Sequence, residues 1–230
     1  MVNNTCTDLD KLVEIDPSVQ GLGVFIAYTI SWGNPPVQNP FTNVIEELID
    51  RIRRTHSLEK LRENPVVRAY RDFYWRIGID PTKTRPSGEA LVRRILRGRF
   101  PVIHPIVDAG NIASAETLVP IGIYDLDKAK PPLKLALSGG GEEFKPIGGK
   151  PEKLDPGIPI LVDSGGIVLH LYPHRDSELT AVSSSTSRVL IIGAGVPGVQ
   201  QGLVRKAVER VVELLGMLGW SSCEEIVVKP

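Results

Sequence analysis

The chain has 230 residues, of which 42 % are hydrophobic and 23 % charged, a composition that excludes a wholly disordered polymer. A chain of this length buries roughly 70 % of its unfolded surface and needs no disulfide or metal staple to fold. Its 27 basic and 27 acidic side chains cancel, which excludes a simple polycation that coats nucleic acid.

The cancellation is between unlike parts. Residues 51–99 carry 14 basic and five acidic side chains, and the remainder carries the matching surplus of acids. Such asymmetry marks either a polyanion partner or one half of a fold that pairs with the other. The N-terminus lacks a basic start and an apolar run, so no secretory leader is expected and the chain reads as cytoplasmic.

Leu22–Ile30, rich in Val, Ile, Phe and Tyr and bounded by Gly and Asn34-Pro35-Pro36, reads as a strand. It is too short to cross a bilayer, so no membrane partner is expected. Thr42 opens a helix to about Arg54, with Val44, Ile45, Leu48, Ile49 and Ile52 on its apolar face. Asn64-Pro65 starts the next, which stops at Gly78. Ser87 begins a third that ends at Gly98, and a shorter one covers about Pro105 to Leu118.

The second half changes character. Ile121–Leu126, Leu133–Leu137, Ile158–Val162, Ile167–Leu171 and Arg188–Ile192 read as strands between Gly, Asp and Pro turns. A last helix runs from about Val199 to Leu218, followed by a short strand at Ile226–Val228. Helices come mostly first and strands mostly later, which argues an α+β fold, compact and layered, with mixed sheets and flanking helices. No internal repeat or linker divides it, so residues 1–230 are expected to form one domain.

Cys6 and Cys223 lie near opposite ends, with no histidine at zinc spacing, so no metal site is expected. They read as incidental thiols, a disulfide tying the termini being the alternative. Gly193-Ala-Gly195-Val-Pro-Gly198 stands between a strand and a helix, where a dinucleotide fingerprint would. Too few strands follow it and the expected acid is missing. A Gly/Pro turn is the better reading, and no cofactor is expected.

Among the four histidines none falls in a nucleophile–base pattern; Pro173-His174-Arg175-Asp176-Ser177 reads as a polar loop with an exposed histidine, the alternative being a loop that lines a site. Arg68, Asp72 and Arg76 share a helix face and can pair with each other. Arg93 and Arg97 share one with no acid between them. With Arg85 and Arg94 they are the candidate RNA-contacting residues, the alternative being a solvated face. Asp108, Asn111 and Ser114 fall on one side of their helix, as a polar pocket wall or as ordinary capping and surface positions.

From Tyr70 the wording becomes specific. The strings YRDFYWRIGIDPTKTRPSGEALVRRIL and VDAGNIASAETLVPIGIYDLDKA resemble the B3/B4 domain, the tRNA-binding and editing module of the phenylalanyl-tRNA synthetase beta subunit, in the form that also occurs free-standing. The resemblance spans about residues 60–215 and leaves out every ATP-binding motif of the synthetase. It implies a central pocket in a mixed-sheet fold, tRNA or aminoacyl-tRNA as partner, and metal-free hydrolysis of a mischarged ester. It also implies roles for Asn111 as the pocket asparagine and Asp125 as the acid closing the next strand; with Asp108 and Ser114, taken from the helix spacing, they are the candidate catalytic residues. Where synthetases place a His three residues before that acid, this chain has Gly122. Where they place a Glu six residues beyond a Thr, here Thr186, it has Ile192. Gly and Ile cannot hydrogen-bond a tyrosine hydroxyl. The implied alternatives are another aminoacyl group, or binding of RNA or a small molecule without cleavage. The oligomeric state is open.

Overall fold

The computed structural model describes residues 6–230. Six helices are present: α1 (Pro17–Gln20), α2 (Thr42–Thr55), α3 (Pro65–Arg76), α4 (Ser87–Leu96), α5 (Pro105–Thr117) and α6 (Gln201–Met217). The strands are β1 (Val13–Ile15), β2 (Phe25–Trp32), β3 (Ile121–Asp125), β4 (Leu133–Leu137), β5 (Glu143–Phe144), β6 (Glu152–Lys153), β7 (Pro159–Asp163), β8 (Val168–Leu171), β9 (Arg175–Asp176), β10 (Arg188–Gly195), β11 (Ser221–Ser222) and β12 (Val227–Lys229). The long periodic segments thus fold where their patterns place them. The short strands β1, β5, β6 and β9 carry too few residues to show a period.

Two five-stranded sheets form the centre. One runs β1-β4-β7-β8-β9 and is mixed, with β1 parallel to β4 and the rest antiparallel. The other runs β11-β2-β10-β3, with β12 also on β2, and is antiparallel. Its middle strand β10 is buried almost throughout, which explains its unbroken apolar run.

The antiparallel sheet is the middle layer. Along β3, Gly122 and Tyr124 face the mixed sheet, while Ile121 and Ile123 pack on α5. Gly110 lets α5 come close, since a Cβ there would stand 2.8 Å from the Ile123 methyl. On β10, Gly193 faces α6, where a Cβ would meet Val204 at 2.9 Å, and Ile192 and Ala194 face the other way. α2 and α4 pack outside α5. The main apolar cluster draws on residues from Leu9 to Val227, and a smaller one lies under β5 with Phe144 and Leu154.

The incidental-thiol reading is corrected: Cys6 and Cys223 form a disulfide, with Cα atoms 5.6 Å apart. The segments around Asp10 and Cys223–Lys229 meet beside β2, where Cys223 N donates to Ile30 O and the Lys229 ammonium donates to the Asp10 carbonyl. The glycines of 193–198 serve packing: a Cβ at Gly195 would overlap the Phe25 ring. Among the described residues no helix is long and apolar enough to cross a membrane.

Candidate active site

A narrow pocket of about 50 Å³ opens between the two sheets. The middle sheet contributes Ile26, Gly122, Tyr124, Ile192 and Ala194. The mixed sheet contributes Leu135, Leu161, His170 and Asp176. Ser87, the first residue of α4, and the Tyr172–His174 turn complete the wall. Apolar side chains dominate, with a few polar groups converging, the usual make-up of a small-ligand site.

The polar wall is built by a tight hairpin. β8 and β9 pair so that His170 stands opposite Asp176. His170 Nδ1 lies 2.9 Å from Asp176 Oδ1, and the Tyr124 hydroxyl donates to the same oxygen at 3.1 Å. An ionised carboxylate only accepts, so the His170 proton sits on Nδ1 and Nε2 is left as the acceptor. Among the described residues Nε2 has no hydrogen-bond partner. The Tyr172 hydroxyl donates to the Phe25 and Gly195 carbonyls, at 2.8 and 2.6 Å, which fixes the turn against the middle sheet.

His174 is the second unsatisfied group. Its Nδ1 is buried without a partner and its ring packs edge-on to Tyr74 at 5.8 Å. Burial, helped by the nearby Arg175 charge, pushes this imidazole down from 6.5 to about 3. It is neutral at physiological pH. The exposed-loop reading of His174 is thereby corrected: the turn folds inward over the pocket. Burial likewise holds the Tyr124 phenol far above its ordinary value, reinforced by the Asp176 charge, so it stays a donor.

Gly122 and Ile192 are Cα partners across β3 and β10, and both line the pocket. The two positions singled out by the resemblance therefore meet on one wall. A Cβ at 122 would overlap the Tyr124 hydroxyl, so Tyr124 occupies the space into which a side chain from position 122 would project.

Asp108, Asn111 and Ser114 lie on α5, on the opposite face of the middle sheet, and do not line the pocket. The β3 alternation separates them from it. Asp108 is held by Asn39 Nδ2 at 2.6 Å and Ile103 N at 2.9 Å, tying the loop before α5 to the helix. Burial raises its carboxyl. The Ser114 hydroxyl is buried without a partner, and Asn111 is half-buried. Asp125 and Thr186 come together: Thr186 Oγ1 donates to Asp125 Oδ2 at 2.7 Å, and Lys128 stands 3.2 Å from the same oxygen. That pair closes the end of β3, outside the pocket lining.

The arginines divide. Arg93 and Arg71 both donate to Glu89, at 2.7 and 2.8 Å, and Glu89 is completely buried between α3 and α4. Burial alone would raise the Glu89 carboxyl; the two guanidinium groups outweigh it and hold it below its ordinary value. Arg85, Arg94 and Arg97 are exposed and, among the described residues, form no ion pair. Arg68, Asp72 and Arg76 share a face but do not ion-pair. Of residues 51–99 only Arg51 pairs with an acid of the second half, Glu116, at 2.6 Å.

The B3/4 domain family profile matches residues 69–218. The chain is 34 % identical over 117 residues to the phenylalanine–tRNA ligase beta subunit of Methanocaldococcus jannaschii, covering 42 % of this chain and 21 % of that protein. It is 35 % identical over 94 residues to the beta subunit of Pyrococcus abyssi, covering 32 % and 17 %. It spans about a fifth of these relatives' length. Among solved structures, an N-terminal fragment of the phenylalanyl-tRNA synthetase beta-subunit from Pyrococcus horikoshii superposes with a TM-score of 0.50 and 18 % identity, over 95 % of this chain and 54 % of the fragment. That likeness is one of fold.

Proposed function

Because the chain belongs to the B3/4 domain family, we propose that it binds the aminoacyl end of a charged tRNA in the inter-sheet pocket and hydrolyses the ester in trans. The observation that carries this reading is the His170–Asp176 pair facing an otherwise apolar pocket. His170 Nε2 takes a proton from water as the water oxygen bonds to the ester carbonyl carbon. The tetrahedral intermediate collapses, the bond to the ribose oxygen breaks, and His170 returns the proton to that oxygen. Asp176 and Tyr124 hold the imidazole in the required tautomer. The positive end of α4, which begins with Ser87 on the same wall, favours the developing oxyanion.

The walls select the amino acid. Ile26, Leu135, Leu161, Ile192 and Ala194 offer no partner for a polar side-chain tip, so an apolar aminoacyl group is the expected substrate. The competing reading, a small-molecule site without RNA, requires the basic segment to be neutralised by the acidic half. A single cross-pair, Arg51 with Glu116, argues for RNA instead. The proposal takes residues 1–230 as one functional unit, acting in the cytoplasm.

A panel of tRNAs, each carrying a different amino acid, tests it. Accelerated release of an apolar amino acid is the expected result. No acceleration for any member, with no salt-sensitive tRNA binding, contradicts the reading.

A further inference from the structure

We propose that the single-stranded end of the RNA lies in a basic trough along α3, with Trp75 as a platform for an unpaired base. This rests on RNA being the partner, and it uses arginines other than those the sequence pattern favoured. Two surface hollows carry the inference. One is bounded by Arg53, Arg54 and Lys60, at the end of α2 and the segment after it. The other is bounded by Arg68, Asp72 and Arg76 of α3 and by the Pro197-Gly198 turn before α6. The lining of the first ends at Asn64 and that of the second begins at Pro65, so the two adjoin at the start of α3.

Five cations line this trough, and none forms an ion pair among the described residues; the acid lining it is Asp72. Nearby, Glu89 takes two arginines and Glu116 takes Arg51 and Arg210; Arg85, Arg94 and Arg97 are also exposed without an ion pair among the described residues, but they bound neither hollow. Unpaired cations in a row suit a phosphate backbone, whose bound counterions they release. Trp75 is 58 % exposed although the other aromatics of α3 are buried. Residues 68, 72 and 75 share one helix face, which sets Trp75 on the Arg68 side of α3, at the rim of the hollow and not in its lining. Exposed indole next to cations is the combination that single-stranded nucleic acid recognises.

The trough backs onto the pocket. Phe73 lines the trough, and its ring packs edge-on against Tyr172 of the pocket wall, centroids 6.4 Å apart. One aromatic pair separates the proposed strand path from the proposed site of hydrolysis.

The test is binding of uncharged tRNA and of a labelled single-stranded RNA of about 12 nucleotides, across a salt series. The full-length protein, R53A/R54A/R68A, W75A and Lys150→Ala are compared. For the triple variant, affinity is expected to fall and the slope of log K against log salt to lose about 0.7 per contact, about 2 in all. W75A is expected to weaken the oligonucleotide by about 5- to 150-fold with the slope unchanged. Lys150→Ala, on the far loop, is expected to bind as the parent does. If the parent binds RNA with salt dependence and the triple variant and W75A match it, the trough is overturned and the RNA reading stands. If the parent binds no RNA, both fall.

Discussion

The two faces of the middle sheet treat polar groups differently. On the helix side the buried charged groups are paired, the Ser114 hydroxyl alone of the three α5 residues Asp108, Asn111 and Ser114 being buried without a partner: Glu89 with Arg71 and Arg93, Asp108 with Asn39, and Glu116 with Arg51 and Arg210. On the pocket side His170 Nε2 and His174 Nδ1 face the pocket or its wall without partners. Buried polar groups are ordinarily satisfied. The proposed chemistry is therefore placed on the side that leaves two imidazole nitrogens open, although the more conspicuous polar stripe in the sequence, Asp108-Asn111-Ser114, lies on the other.

The largest expected effect belongs to the pocket face. Asp176→Ala frees the His170 tautomer and is expected to slow deacylation by about 10²-fold or more, and to cost about 1–3 kcal/mol of stability because the buried Tyr124 hydroxyl and His170 Nδ1 lose their acceptor. On the helix face the largest effect is on stability. Glu89→Ala leaves two guanidinium groups uncompensated and is expected to cost about 3 kcal/mol or more in denaturant unfolding. Because the folded Glu89 carboxyl is depressed, its contribution is present above the ordinary carboxylate value and is lost as pH falls through the folded one.

A matched pair of glycine substitutions sharpens the contrast. Gly122→Ala drives a methyl into the Tyr124 hydroxyl, and Gly193→Ala drives one into Val204. Each is expected to cost about 1–3 kcal/mol. Gly122→Ala is expected to reduce deacylation at temperatures where the protein stays folded, and Gly193→Ala to leave it alone.

His174 gives a pH signature. The unfolded chain takes up a proton near 6.5 that the folded chain refuses until about 3. Stability should therefore fall as pH falls through that window, by up to about 1.4 kcal/mol per unit. His174→Gln should flatten this slope. The smallest effect is expected at Ser114, the exception on the helix face: Ser114→Ala removes an unpartnered buried hydroxyl and should be neutral or stabilising by less than about 1 kcal/mol.

The long elements were legible because their periods are set by one-sided burial, as in α2 with Ile45, Leu48 and Ile52 buried. Position 122 facing 192 was legible only through the family resemblance. The His170–Asp176 pair was missed because β9 is two residues long. The available signal was the spacing itself: six residues apart about a Tyr-Pro-His turn, which sets them opposite each other in a hairpin. The Cys6–Cys223 bond has no local signature, since the 217 residues between them are brought together only by tertiary folding. Which of the 14 cations of residues 51–99 would be paired depended on which helix faces meet, and Glu89 serves two of them for that reason alone.

The central claim is that chemistry resides on the pocket face. Single-turnover deacylation of the best substrate from the tRNA panel, with His170→Ala and Asn111→Ala measured side by side, tests it most directly. The account predicts a loss of about 10²- to 10⁴-fold for His170→Ala and a parental rate for Asn111→Ala. A parental rate for His170→Ala with activity abolished in Asn111→Ala would contradict it and move the site to the helix side of the sheet.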